Sequence, residues 1–118
     1  MPAGKDDHLW MQPNGDTPDK IKNNPLVKDI PLPRTGSMSR AGTLVTKTLL
    51  LAGEGWDGQP FFRAYDKKTG EIVATIPLPA TQTGLPMTYM HGGQQYVVMT
   101  VGAPGHPAEL VALRLPKK

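Results

Sequence analysis

The pattern of hydrophobic and polar positions changes part-way along the chain. Leu, Ile, Val and Phe occupy 6 of the first 40 positions and 19 of the remaining 78, so core-forming sequence begins near residue 41. The first stretch also holds six prolines, Pro2, Pro13, Pro18, Pro25, Pro31 and Pro33. Each fixes φ and lacks an amide donor, which argues against regular helix or a central strand. Residues 1–40 therefore read as an extended loop, with two exceptions. Within Asp7 to Gln12, the apolar Leu9, Trp10 and Met11 predict a short strand ending at the Pro13-Asn14-Gly15 turn. Thr17 to Asn23 opens like a helix start, with Pro18 in the first turn, and predicts about one turn of helix.

From residue 41 onward, short β-type runs alternate with turn residues every ~8 to 12 positions, the spacing of all-β architectures. The predicted strands are Thr43–Thr46, Thr48–Ala52, Phe61–Tyr65, Ile72–Ile76, Met87–Met90, Gln94–Val101 and Glu109–Leu115. Strict alternation places Ile72, Ala74 and Ile76 on one face of their strand and Val73 and Thr75 on the other. It likewise separates Leu110, Ala112 and Arg114 from Val111, Leu113 and Leu115. Between two of the strands, Asp66-Lys67-Lys68-Thr69-Gly70 carries a hairpin signal: the Asp can accept from turn amides and Gly70 can take a positive φ. His91-Gly92-Gly93 predicts a second hairpin, and nothing reads as a long amphipathic helix.

These runs make two successive strand-hairpin units of ~35 to 40 residues, the period of a propeller blade. A blade buries its faces against its neighbours around a central axis, so one or two blades alone leave apolar surface uncovered. The chain is expected to be a piece of something larger or to need a partner.

Composition narrows the picture further. Gly and Pro together make 26 of 118 residues, and Leu, Ile, Val and Phe make 25, enough for one modest domain at most. No apolar run approaches the ~20 residues of a membrane helix. The opening MPAGKDDHLW lacks the apolar stretch of a secretory signal. Without cysteine there are no disulfides and no thiolate metal sites. The net charge of +3 is spread evenly, with six basic and five acidic groups in residues 1–40 and seven and five thereafter. A mixed solvated surface, and no nucleic-acid binding, is the expectation.

Several stretches, taken in order, carry a family resemblance. Phe62-Arg63-Ala64-Tyr65-Asp66-Lys67-Lys68-Thr69-Gly70-Glu71 resembles the repeated A-x-D-x-x-T-G-E blade turn of the pyrroloquinoline-quinone (PQQ) dependent glucose and alcohol dehydrogenases. Gly84-Leu85-Pro86-Met87-Thr88-Tyr89 resembles that family's G-x-P-M-T-Y, and Gly93-Gln94-Gln95-Tyr96-Val97-Val98 its G-x-Q-Y-V-V. Gly102 to Pro107 follows as a loop ahead of the last strand. Leu9 to Thr17 looks like the end of a preceding blade.

The resemblance implies the C-terminal, final one to two blades of an eight-bladed quinoprotein propeller. Residues 1–40 would be the end of a preceding blade plus a Pro-rich connection, and 41–118 the C-terminal blade region. It further implies a periplasmic parent that oxidises a glucose-like sugar or an alcohol with PQQ and calcium. The catalytic aspartate and calcium ligands of that family have no matching motif here, so the chain alone is expected to be inactive. One contact carries over: Gly105 and His106 would face the quinone, the glycine allowing close backbone approach and the imidazole offering a hydrogen bond or a cation.

Other candidates give way to simpler readings. His8, His91 and His106 have no metal-ligand spacing. Asp6, Asp7, Asp16 and Asp19 lack the alternate-position pattern of a calcium loop and read as solvated carboxylates. Trp56 reads as a core cap, and Trp10 as packing between blades. Ser37 and Ser39 have no triad frame. The expected partners are the remaining propeller blades or, through open sheet edges, another copy; the alternative function is a non-catalytic β-sheet interaction module.

Overall fold

The computed structural model describes residues 8–55 and 59–115. Its strands are β1 (Thr43–Val45), β2 (Leu49–Gly53), β3 (Phe61–Asp66), β4 (Ile72–Pro77), β5 (Met87–His91), β6 (Gln94–Ala103) and β7 (His106–Arg114). All pairings are antiparallel: β1-β2-β3-β4 form one sheet and β5-β6-β7 another. Ahead of them lie a single helical turn, α1 (Asp19–Lys22), and a short 3-10 turn at Pro25–Val27. The chain is all-β, as the spacing of its apolar runs predicts.

Local chemistry fixes the β3–β4 hairpin. Asp66 accepts hydrogen bonds from the amides of Lys68 and Thr69 at 2.8 and 3.0 Å. Gly70 then reverses the chain with φ +77°. Trp10 packs on that glycine so closely that an added Cβ would lie 2.5 Å from its ring. The indole N–H also donates to Lys67 O at 2.8 Å, and the ring stacks on Tyr65 at 6.0 Å.

The two sheets face each other across the core. Leu51, Phe62 and Ala64 from the first meet Met99 and Val101 from the second, with Leu78 and Ala80 of the crossing segment between them. Phe62, Met99 and Val101 are almost wholly buried, each contributing about 1.5–3 kcal/mol of apolar burial. The crossing segment is stitched to both sheets. Leu78 N–H donates to Pro60 O, Thr83 N–H to Thr100 O, and Gly102 N–H to Thr81 O. Gln82, fully buried, bridges to Val101 and donates its side-chain amide to the carbonyls of Gly42 and Gly84 at 3.0 and 2.6 Å.

The other face of the four-stranded sheet is roofed by the proline-rich segment. Gln12 donates to Gly70 O and Asn14 to Gly53 O. Arg34 binds Pro13 O, Gly15 O and the Tyr65 hydroxyl. By contrast, the far face of the three-stranded sheet is bare: Leu110 is 75 % exposed, Met87 54 % and Tyr89 40 %. Tyr89 stacks on its cross-strand neighbour Tyr96 at 5.3 Å on this face. The radius of gyration, 16.3 Å, exceeds the roughly 13.5 Å of a compact chain of this length.

Three expectations need correction. Residues 8–12 form no strand; the side chains of Trp10 and Gln12 reach carbonyls of the β3–β4 turn, so this stretch is held by side-chain point contacts in place of a backbone ladder. Trp10 keeps its side chain on the outer face of the first sheet, against Tyr65 and Gly70. The alternation of β4 is interrupted, because a register shift sets Ile72 opposite Tyr65 and skips Val73; Ile76 joins the core and Ile72 does not. The loop expected over Gly102 to Pro107 shrinks to Pro104-Gly105, since β6 runs on to Ala103 and β7 restarts at His106. Trp56 lies outside the described residues.

Candidate functional site

Gly105 and His106 sit at the end of the longest hairpin. Pro104 followed by Gly105 at φ +79° is the residue signature of a type II turn, where proline presets the first central position and glycine takes the second. No heavy atom lies within 4 Å of where a Gly105 Cβ would project. The glycine is thus required by backbone conformation, and the space beside it is open. The base of the turn is held by the Gly102–Thr81 and Thr83–Thr100 backbone bonds and the Gln82–Val101 bridge.

His106 opens β7, paired with Ala103 across the hairpin. Its side chain is 33 % exposed, and Nε2 contacts Oε1 of Glu109, itself half exposed. Sequence reading singled out the histidine but missed this partner. The distances that matter come from a register shift between Val101 and Ala103, which strict alternation conceals. His91 lies at the end of another strand, β5, and among the described residues no three His, Cys, Asp or Glu side chains come together as metal ligands.

A second polar cluster lies where the roof meets the first sheet. Glu54, 1 % exposed, accepts from Arg63 Nε at 2.8 Å and faces Arg34 Nη2 at 3.6 Å. Asp16 pairs with Arg63 at 3.3 Å and with Arg34 at 3.6 Å. Asp16, half exposed as a solvated carboxylate should be, is thus also an ion-pair partner. With two cations and two anions the cluster is neutral, and it ties the roof to β3. The nearby polar hollow lined by Asp16, Thr17, Asp19, Ser37, Gly55 and Gln59 is small, about 150 Å³.

An apolar cleft of about 460 Å³ also opens between the sheets, walled by Leu49, Leu51, Phe62, Ala74, Ile76, Val97 and Leu113. It is where the two blades part.

Antiparallel sheets stacked face to face, with the chain crossing from the edge of one to the start of the next, define a partial β-propeller. The family model for the PQQ glucose/ethanol/alcohol dehydrogenase β-propeller domain matches residues 3–97. The chain belongs to this family. It is 39 % identical over 72 residues to methanol dehydrogenase [cytochrome c] subunit 1 of Paracoccus denitrificans, covering 61 % of this chain and 10 % of that protein. It is 35 % identical over 100 residues to the glycerol dehydrogenase large subunit of Gluconobacter thailandicus, covering 83 % and 13 %. To the quinoprotein glucose dehydrogenase of Gluconobacter oxydans it is 31 % identical over 101 residues, covering 83 % and 12 %. The chain thus spans about a tenth to an eighth of the length of these curated relatives. No solved structure matches it. Gly105 and His106 lie beyond the stretch that the family model matches.

Proposed function

We propose that this chain supplies the last blade region of a PQQ-dependent dehydrogenase acting on a sugar or an alcohol. Residues 1–40 would then be the end of a preceding blade and its connection. The observation that carries the reading is the asymmetry of the two sheets. The inner strands of the four-stranded sheet, β2 and β3, are covered on both faces, whereas the three-stranded one leaves Met87, Tyr89 and Leu110 in solvent. At ~25 cal/mol per Å² of apolar surface, such a flank favours a covering neighbour.

The quinone would meet this chain at Pro104-Gly105-His106. The turn presents a glycine with open space beside it, which suits the approach of a flat ring. His106 adds an imidazole whose ring nitrogens can orient a bound group. PQQ, when bound, takes up two electrons from a substrate C–OH group. This chain's share is positional: it forms part of the cofactor floor and closes one flank against water. Calcium, and the base that takes the hydroxyl proton, would be held by residues outside these 118. The family resemblance supports a periplasmic parent, and among the described residues no helix is long and apolar enough to cross a membrane.

The test joins this chain to upstream propeller sequence. Alone with PQQ and calcium it should oxidise neither glucose nor a short alcohol, and the joined protein should do so. His106→Ala in the joined protein should weaken PQQ binding. Turnover by the isolated chain, or PQQ affinity indifferent to His106→Ala, would overturn the corresponding part of the proposal.

A further inference from the structure

Residues three apart on an unbroken strand point to opposite faces of the sheet. His106 and Glu109 are three apart on β7, yet their side chains touch. The reason lies in the register. Between the pairs Val101–Glu109 and Ala103–His106, β6 has one residue, Gly102, while β7 has two, Pro107 and Ala108. The additional residue is a bulge, and it reverses the alternation so that both side chains emerge on one face. Pro107, which has no amide to give to the ladder, suits that place. It is the face of Val111 and Leu113, toward the first sheet.

We infer that Glu109 is a positioning residue for His106: it holds the ring through Nε2 and fixes the tautomer. A carboxylate only accepts, so the nitrogen facing it carries the hydrogen. The other nitrogen, Nδ1, is then left as the ligand-facing atom, and in the neutral ring it is an acceptor. The group received there is a hydrogen-bond donor. An anionic oxygen is received only when the ring takes up a second proton. This rests on the reading of His106 as a cofactor contact for its purpose, but the geometry itself is a property of the chain alone.

Long-range ¹H–¹⁵N NMR of the 118-residue chain, at a pH where the ring is neutral, tests it. The wild type should show His106 as a single Nε2–H tautomer, with Nδ1 resonating as a bare ring nitrogen. Glu109→Ala should move the signals toward the averaged values of a free imidazole. Glu109→Gln, which keeps an acceptor oxygen, should restore much of the wild-type pattern. Moving the acid by one place, in Ala108→Glu with Glu109→Ala, should not restore it, because that position points to the other face. The inference is overturned if Glu109→Ala leaves the tautomer unchanged, if Nδ1 carries the hydrogen in the wild type, or if the shifted acid rescues. These outcomes need no quinone. Loss of the NMR effect would sink the role of Glu109 while leaving the proposed cofactor contact standing, and PQQ affinity indifferent to His106→Ala would do the reverse.

Discussion

Arg63 reaches across the end of the first sheet to donate from Nε to Oε1 of Glu54 at 2.8 Å, and the acid it meets is the more deeply buried of the two. Removing one partner of such a pair leaves an uncompensated charge, which costs about 3–5 kcal/mol when the remaining group is buried. Arg63→Ala strands Glu54 and should lie near the lower end of that range, because Arg34 still stands at 3.6 Å. Glu54→Gln should cost less, since both arginines keep contact with Asp16 and some solvent. Urea unfolding of the two variants checks the order; equal losses would mean that burial of the acid is not what decides the cost.

Gln82 offers a second test, through a glycine beside it. A Cβ at Gly53 would fall 2.2 Å from Gln82 Oε1, whose amide is fixed by two carbonyls in a fully buried position. A Cβ at Gly42 would fall 2.0 Å from Leu85 Cδ2, the free end of a side chain that is 78 % exposed. The shorter distance should be the cheaper one. Gly53→Ala is expected to cost about 1–3 kcal/mol, and Gly42→Ala less than about 1 kcal/mol. Thermal unfolding of the pair distinguishes them.

Stability should also fall in acid through the β3–β4 turn. The amide of Thr69, and after it that of Lys68, hold the Asp66 carboxyl below its ordinary pKa of 3.8. A group whose pKa is lowered in the native state stabilises the fold above its unfolded pKa and loses that contribution as pH falls through the native one. Urea midpoints followed from about pH 5 to about pH 2 should therefore drop more in the wild type than in Asp66→Asn. Parallel curves would show that the turn does not hold the ionised form.

Leu110 stands on the bare face and is 75 % exposed. Leu110→Lys should leave the stability of the chain within about 0.5 kcal/mol. The same change should lower any concentration-dependent association seen by sedimentation velocity, because it places a charge on the exposed face that also carries Met87 and Tyr89. A large loss of stability would mean that the face is already covered.

Much of the architecture was legible in the sequence, for physical reasons. The β3–β4 hairpin has its own turn chemistry, in which Asp66 and Gly70 act locally, within a few residues. What escaped was set by register. The shifts beside Ala64 and Val101 change which side chains share a face, at Ile72 and at Glu109, and depend on a partner strand that local periodicity does not report. The loop expected through Pro107 put the start of β7 too late, because a bulge lets the strand run through that proline. Leu9 to Met11 had a strand's composition, but here Trp10 is held by its side chain on the β3–β4 turn. At the site, the glycine and the histidine were visible, and the acid was not.

The roof over the first sheet has a bearing on how such chains diverge. Trp10, Gln12 and Asn14 grip main-chain oxygens of Lys67, Gly70 and Gly53, groups that every amino acid supplies. Those attachments place few demands on the identity of what lies underneath. At these three hydrogen bonds recognition is written on the roof, so the strands below can drift in sequence wherever only their path is read; they are held where the roof also reads what lies underneath, at Gly70 and Tyr65 under Trp10 and at Glu54 and Arg63 in the ion cluster.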